Sequence, residues 1–242
     1  MSAPGLELTG ERTLPGVPAE NYWYRRHLAA YRWAASRCGP GRVVDAGAGE
    51  GYGAAVVARR SRVTAIELDA VAAGHAASRY PGVAVARADL CRLPIREGSV
   101  DAIVSLQVLE HLHCAEDFVD ACARALRPGG RLLVSTPNRD TFPGGLNPFH
   151  VHEYVASELE GLLRSRFRDV RILGLAHRPP LRGLDIALRE PVQHVLVRRP
   201  YEDQPLWLRM ILRSVTSLDF GVIRGSEGSL DLLAVATGTI EA

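Results

Sequence analysis

The stretch Val43-Val44-Asp45-Ala46-Gly47-Ala48-Gly49-Glu50-Gly51-Tyr52-Gly53 constrains this chain more than any other feature. Two β-branched residues run into an acidic residue, and four glycines then alternate with other residues. A buried strand ending in such a turn lets the backbone approach a bulky ligand where a Cβ would clash or forbid the dihedrals. That pattern belongs to open α/β sheets, which bind ligands at the carboxyl ends of their strands.

The rest of the chain agrees. Strands are predicted at 42–46, 62–67, 83–87, 100–105 and 131–135. Helices fall between them at 50–60, 69–79, 107–112 and 115–126, with Asp69 a good N-cap and Arg127-Pro128-Gly129-Gly130 a turn. Alternation of this kind implies βαβ units with right-handed crossovers and a parallel sheet. Residues 1–39 read as a Pro- and Gly-rich arm followed by a helix, with Tyr24, His27, Leu28 and Tyr31 on one face. Residues 40–242 form the main domain. Pro137, Pro143, Gly144, Gly145 and Pro148 make a long loop after the fifth strand. A helix at 156–167 and a strand at 170–175 follow. Residues 177–228 read as an insertion facing a substrate, with Leu208, Ile211, Leu212 and Val215 at helical spacing. A final strand spans 230–236.

Composition removes several function classes. The net charge of the 242-residue chain is +2, which calls for neither nucleic acid nor an anionic membrane. All 29 basic residues are arginine, as in a GC-rich bacterial genome, and the absence of lysine excludes Schiff-base chemistry and a P-loop. Cys38, Cys91, Cys114 and Cys122 lack CxxC spacing and read as reduced, mostly buried thiols of a cytoplasmic protein. There is no apolar signal core and no 18-residue apolar run. A homo-oligomer is left open.

Glu67 ends the second strand, 20 residues after Gly47, where a carboxylate can accept both hydroxyl hydrogens of a ribose. An adenosine-type ligand follows. Gly49-Glu50-Gly51-Tyr52-Gly53-Ala54 satisfies a loose dinucleotide fingerprint, so the glycines alone leave an NAD-dependent oxidoreductase open. The order acidic-x-G-x-G-x-G in Asp45, Gly47, Gly49 and Gly51 suits S-adenosylmethionine, which has no pyrophosphate to neutralise. Ala88-Asp89-Leu90 after the third strand places a carboxylate for an adenine amino group. Ser105-Leu106-Gln107 after the fourth offers backbone for the methionine end.

In this combination the chain resembles the class I S-adenosylmethionine-dependent methyltransferases over residues 40–137 and 150–175. The resemblance implies a Rossmann-like, three-layer α/β/α fold with a seven-stranded sheet, mostly parallel with one antiparallel strand, and methyl transfer from a sulfonium to a nucleophile. The cofactor set it implies is Asp45, Gly47, Ala48, Gly49, Gly51, Glu67, Leu68, Asp89, Leu90, Leu106 and Gln107. Tyr22 and Arg26 are expected to close over the methionine end, Arg26 pairing with its carboxylate.

Transfer to a hydroxyl needs a base or a metal. Gln107, Glu110 and His111 are spaced to share one helical face, and Asn147-Pro148-Phe149-His150-Val151-His152-Glu153-Tyr154 can bring His150 over the same site. This resembles metal-supported methyltransferases, among them ubiquinone-pathway O-methyltransferases and small-RNA 2′-O-methyltransferases, which carry Glu-x-x-Glu-His here and a later His in a His-x-x-Glu-aromatic setting. Glu110, His111 and His150 match; the first Glu is Gln107. Two readings stay open: Mg²⁺ on Glu110, His111 and His150, with Gln107 able to join through its amide oxygen, or His111 or His150 as a metal-free base.

The ends carry a further resemblance. Leu8-Thr9-Gly10-Glu11-Arg12-Thr13, Glu20–His27, Ser135-Thr136-Pro137-Asn138-Arg139, Asn147-Pro148-Phe149-His150 and Ser229-Leu230-Asp231-Leu232-Leu233-Ala234 are similar to an actinobacterial group of methyltransferases associated with O-methylation of glucose units in polymethylated polysaccharides. This implies a carbohydrate or glycosylated small-molecule acceptor. A natural-product phenol, amine or acid is the other enzymatic expectation, and a cofactor-binding partner subunit without turnover the non-enzymatic one.

Overall fold

The computed structural model describes residues 13–142, 147–188 and 190–240. Most of the expected N-terminal arm, including Leu8–Arg12, and the loop glycines Gly144 and Gly145 with Pro143 lie outside the described residues.

Eight strands form one sheet: β1 (Arg42–Ala46), β2 (Arg62–Glu67), β3 (Ala84–Arg87), β4 (Val100–Leu106), β5 (Leu126–Pro137), β6 (Phe167–His177), β7 (Phe220–Arg224) and β8 (Asp231–Thr239). Their order is β3-β2-β1-β4-β5-β8-β6-β7. The pairs among β1 to β5 are parallel. β8 lies antiparallel between β5 and β6, and β7 adds antiparallel to the outer edge of β6. The expectation of seven strands with one antiparallel is therefore corrected. The extra strand, β7, comes from the end of the insertion, whose weak alternation hid it.

Two apolar layers cover the sheet, and strand periodicity distributes the side chains between them. Val43, Ala65, Val104 and Leu133 face one side, with α1 (Asn21–Cys38), α2 (Tyr52–Ala58) and α8 (Leu206–Ser214). Val44, Ile66, Ile103 and Leu132 face the other, with α4 (Ala115–Ala125) and α5 (Ala156–Arg164). α3 (Ala70–Arg79) starts from Asp69, whose carboxylate accepts the Ala72 N–H at 2.7 Å. The insertion adds α6 (Leu181–Leu188) and α7 (Val192–Arg198), neither expected, before the amphipathic α8, which buries Leu208 and Leu212. The turn expected at Arg127–Gly130 is instead a bulge within β5, where pairing jumps from Val100–Leu126 to Ala102–Arg131.

The strand order reverses between β1 and β4, and the glycine turn lies at that switch point. Gly47 has φ +84, and a Cβ there would fall 2.5 Å from Val108 Cγ2. Gly51 has φ +96, and a Cβ would meet Ala76 of α3 at 2.7 Å. A Cβ on Gly53 would enter the Tyr31 ring. The alternating glycines thus serve internal packing as well as a close ligand approach.

Two of the four thiols depart from expectation. Cys91 and Cys114 form a disulfide, with Cα atoms 5.6 Å apart, while Cys38 and Cys122 are free and buried. No spacing motif marks the pair, because tertiary packing brings it together across 23 residues.

Candidate active site

The turn after β1 presents backbone, and the strand tips present carboxylates. The Glu67 carboxylate accepts the Gly49 N–H at 2.7 Å and the Asp69 N–H at 2.9 Å, so it stands over the glycine turn. Asp89 accepts the Cys91 N–H at 2.9 Å beyond β3. Leu68 is exposed, Leu90 and Leu106 are buried, and Ala48 packs into the core. Asp45 is fully buried beneath the turn. It accepts from the Tyr31 hydroxyl at 3.2 Å, and its other carboxylate oxygen has no partner. Burial pushes its pKa up to about 7.

Gln107 does not sit on a helix with Glu110 and His111. It has φ +58, uncommon for a residue other than glycine, and only Leu109–His111 make a 3₁₀ turn. The backbone N–H of Gln107 bonds to Ser135 O at 2.8 Å. Its amide nitrogen donates to Ser135 Oγ at 3.1 Å and Asp231 Oδ1 at 3.3 Å. This corrects the shared-face expectation and directs Gln107 to a different cluster.

That cluster is centred on Arg26. Its guanidinium grips both Asp231 carboxylate oxygens, Nε to Oδ2 at 2.8 Å, and donates to Gln193 Oε1 at 2.8 Å and Leu230 O at 2.9 Å. Both charged side chains are 1% exposed. The Arg26 charge is thus matched internally, against the expectation that it meets a ligand carboxylate. Tyr22 is also buried. Its hydroxyl donates to His177 Nε2 at 2.7 Å, and His177 Nδ1–H donates to Asp185 Oδ2 at 2.7 Å. These two residues of α1 tie the helix to β8 and the insertion.

Beside them opens a cavity of about 330 Å³, bordered by Trp23, Gln107, Glu110, His111, Phe142 and His150, among others. The loop 147–152 docks on the 3₁₀ turn through backbone. Val151 and His152 N–H groups donate to Glu110 O at 2.7 and 3.2 Å, and His111 Nδ1–H donates to Phe149 O at 3.0 Å. Glu110, His111 and His150 converge, with their ligand-type atoms all within 4.8 Å of one another. His150 Nδ1–H donates to Glu153 Oε1 at 2.9 Å, leaving Nε2 as an acceptor that takes the Asn147 amide hydrogen at 2.9 Å. His152 lies outside, against Glu158 at 3.3 Å.

Sequence reasoning missed four contributors. Glu153 was legible in the His-x-x-Glu spacing. Trp23 and Phe142 on the cavity wall carry no distinguishing signal, and neither does His27, which burial pushes down to about 4 and so keeps neutral.

Glu110 is 1% exposed and accepts from Thr136 Oγ1 at 3.0 Å. Burial raises its pKa to about 8. Folded-state values above the unfolded ones, 4.5 for Glu110 and 3.8 for Asp45, mean that both groups favour folding fully below the unfolded values, and that this is lost as pH rises through 7 to 8. Thermal melts of the unliganded protein are expected to drop as pH rises from about 5 to about 9, and to drop less for Glu110→Gln. An equal drop in the variant would place the cause elsewhere.

The chain belongs to the S-adenosylmethionine-dependent methyltransferases, for which S-adenosylmethionine is the cofactor. A methyltransferase domain model matches residues 44–134. A Mycobacterium tuberculosis protein named as a probable S-adenosylmethionine-dependent methyltransferase is 44% identical over 96% of this chain and 89% of its own. A ubiquinone biosynthesis O-methyltransferase of Cupriavidus pinatubonensis is 39% identical over 41% of this chain and 42% of its own. A methyltransferase structure from Thermotoga maritima shares the fold, with TM-score 0.63 at 19% identity over 89% of this chain and 92% of that one. The NAD-dependent reading is thereby replaced. Among the described residues no helix is long and apolar enough to cross a membrane.

Proposed function

We propose that this methyltransferase transfers the methyl group to a hydroxyl of a sugar, oligosaccharide or glycosylated metabolite, with His150 as the base. The observation that carries this is the His150–Glu153 pair at the cavity wall. A carboxylate behind Nδ1 fixes the tautomer and leaves Nε2 to receive a proton. An acceptor hydroxyl takes the place of the Asn147 amide at Nε2. S-adenosylmethionine would supply a methyl group on a cationic sulfur that departs with its electron pair as the acceptor oxygen bonds to carbon in line. His150 Nε2 would take the hydroxyl proton. A cavity of about 330 Å³ with Trp23 and Phe142 beside polar groups suits a monosaccharide unit, whose faces are apolar and whose rim is polar.

The cofactor is placed with its ribose on Glu67, its adenine amino group at Asp89, its methionine end by Leu106 and Gln107, and Gly47, Ala48, Gly49 and Gly51 beneath. Glu67→Ala is expected to weaken S-adenosylhomocysteine binding by about tenfold or more in calorimetry. Unchanged affinity would put the ribose elsewhere.

The convergence of Glu110, His111 and His150 supports a second reading, a divalent ion. One carboxylate and two imidazoles suit a transition metal better than Mg²⁺, which prefers oxygen. A cation would also offset the penalty of ionising buried Glu110. Bound there, it would acidify an acceptor hydroxyl. Turnover on a panel of sugars, phenols and amines, with and without EDTA, separates the readings. Activity on sugars undiminished by EDTA is expected; loss restored by a transition metal favours the second reading, and turnover of phenols or amines alone removes the sugar acceptor.

A further inference from the structure

The Cys91–Cys114 cross-link sits where it can act on the cofactor crevice. Cys91 lies in the 3₁₀ turn Leu90–Arg92, directly after Asp89. Its N–H holds the Asp89 carboxylate at 2.9 Å, and the Arg92 N–H bonds to Asp89 O at 3.1 Å, so the aspartate takes its direction from this turn. Cys114 is the residue from which α4 starts. The bond therefore joins the adenine edge of the crevice to the segment that follows Glu110 and His111. Among the described residues, the two other cysteines are buried in the core, where burial pushes the Cys38 thiol up to about 12. Cys91 and Cys114 are only half-buried, and His113 beside them is exposed, with Nε2 3.9 Å from Cys91 Sγ. A small thiol from solvent can reach this pair and cannot reach the others.

We infer that Cys91 and Cys114 form a reversible thiol–disulfide couple whose closed state holds Asp89 in place and so raises affinity for the nucleoside end of the cofactor. This rests on the assignment of Asp89 to the adenine amino group. The exchange partner is a low-molecular-weight thiol. Its thiolate attacks one sulfur, the S–S bond breaks, and a mixed disulfide forms while the other cysteine leaves as thiolate. A second thiolate attacks the mixed disulfide, releasing the small disulfide and, after protonation, two protein thiols. Two electrons pass to the protein, and oxidation by the small disulfide is the reverse.

Calorimetry with S-adenosylhomocysteine tests this on the whole protein equilibrated in oxidised or in reduced glutathione, with the state of the pair read by mass spectrometry. Reduction is expected to raise Kd about five- to tenfold, a free-energy change of the size that loosening one binding loop produces. Cys114→Ser is expected to bind like the reduced protein in both buffers. Amide exchange over residues 88–92 is expected to quicken on reduction. Equal affinity in both states, with the bond verified as broken, overturns the coupling and leaves the cofactor placement standing. A pair that glutathione cannot reduce also overturns it, as a static staple. Affinity absent from both states strikes the cofactor placement itself, and the coupling with it.

Discussion

His150→Ala is expected to reduce turnover by about 10²–10⁴-fold, the range for a removed general base, while S-adenosylhomocysteine affinity stays near wild type. The separation is expected because His150 stands on the cavity wall with Glu153 and Asn147, away from Glu67 and the glycine turn. Glu153→Gln retains shape but removes the charge behind Nδ1. It is expected to produce a smaller loss, since no carboxylate then stands behind the imidazole to hold its orientation and tautomer. Retained turnover in His150→Ala would move the base to His111 and count against an ion that needs His150 as a ligand. Weakened cofactor affinity would show that the loop 147–152 shapes the crevice instead.

Asp231→Ala is expected to be the most destabilising single change, by about 3–5 kcal/mol in denaturant unfolding, because it leaves the Arg26 charge buried and unpaired. The guanidinium has two other acceptors, Gln193 Oε1 and Leu230 O, but both are neutral and cannot replace the carboxylate. The amide nitrogen of Gln107 also loses a partner, so the residue at φ +58 on the cavity edge keeps only its ties to Ser135. The double variant Arg26→Met with Asp231→Leu removes both charges and is expected to recover much of the stability without recovering turnover. A loss under about 1 kcal/mol in Asp231→Ala would mean that solvent reaches Arg26 and screens it.

The parts of this molecule that were legible in the sequence are those specified locally. The β1 turn, the alternation of strands and helices through Pro137, and the Asp69 cap each depend on neighbours a few residues away. So does the His-x-x-Glu spacing that sets Glu153 behind His150. What was hidden depends on distant partners. Arg26 reads as an exposed ligand for an anion until Asp231, 205 residues later, is seen to lie against it. Tyr22 meets His177 across 155 residues. Gln107 matches a helical pattern, but its ties to Ser135 and Asp231 hold the backbone out of a helix. β7, α6 and α7 lack the strong periodicity that a two-sided core imposes on the central strands, because β7 is an edge strand and the two short helices bury few residues, whereas α8 shows its apolar spacing plainly.

The placement of β8 bears on how the enzyme comes into being. This strand is sewn into the middle of the sheet although it is translated after the other seven, and its first residue is the counter-charge of Arg26. A nascent chain on the ribosome that stops short of residue 231 therefore has an open seam along β5 and an unneutralised arginine beneath its cavity. Such a polypeptide exposes a sticky sheet edge and leaves the Gln107 side chain without its Asp231 partner at the cavity edge. Competence thus arrives late and abruptly during synthesis, and chaperones have most reason to engage just before the seam closes.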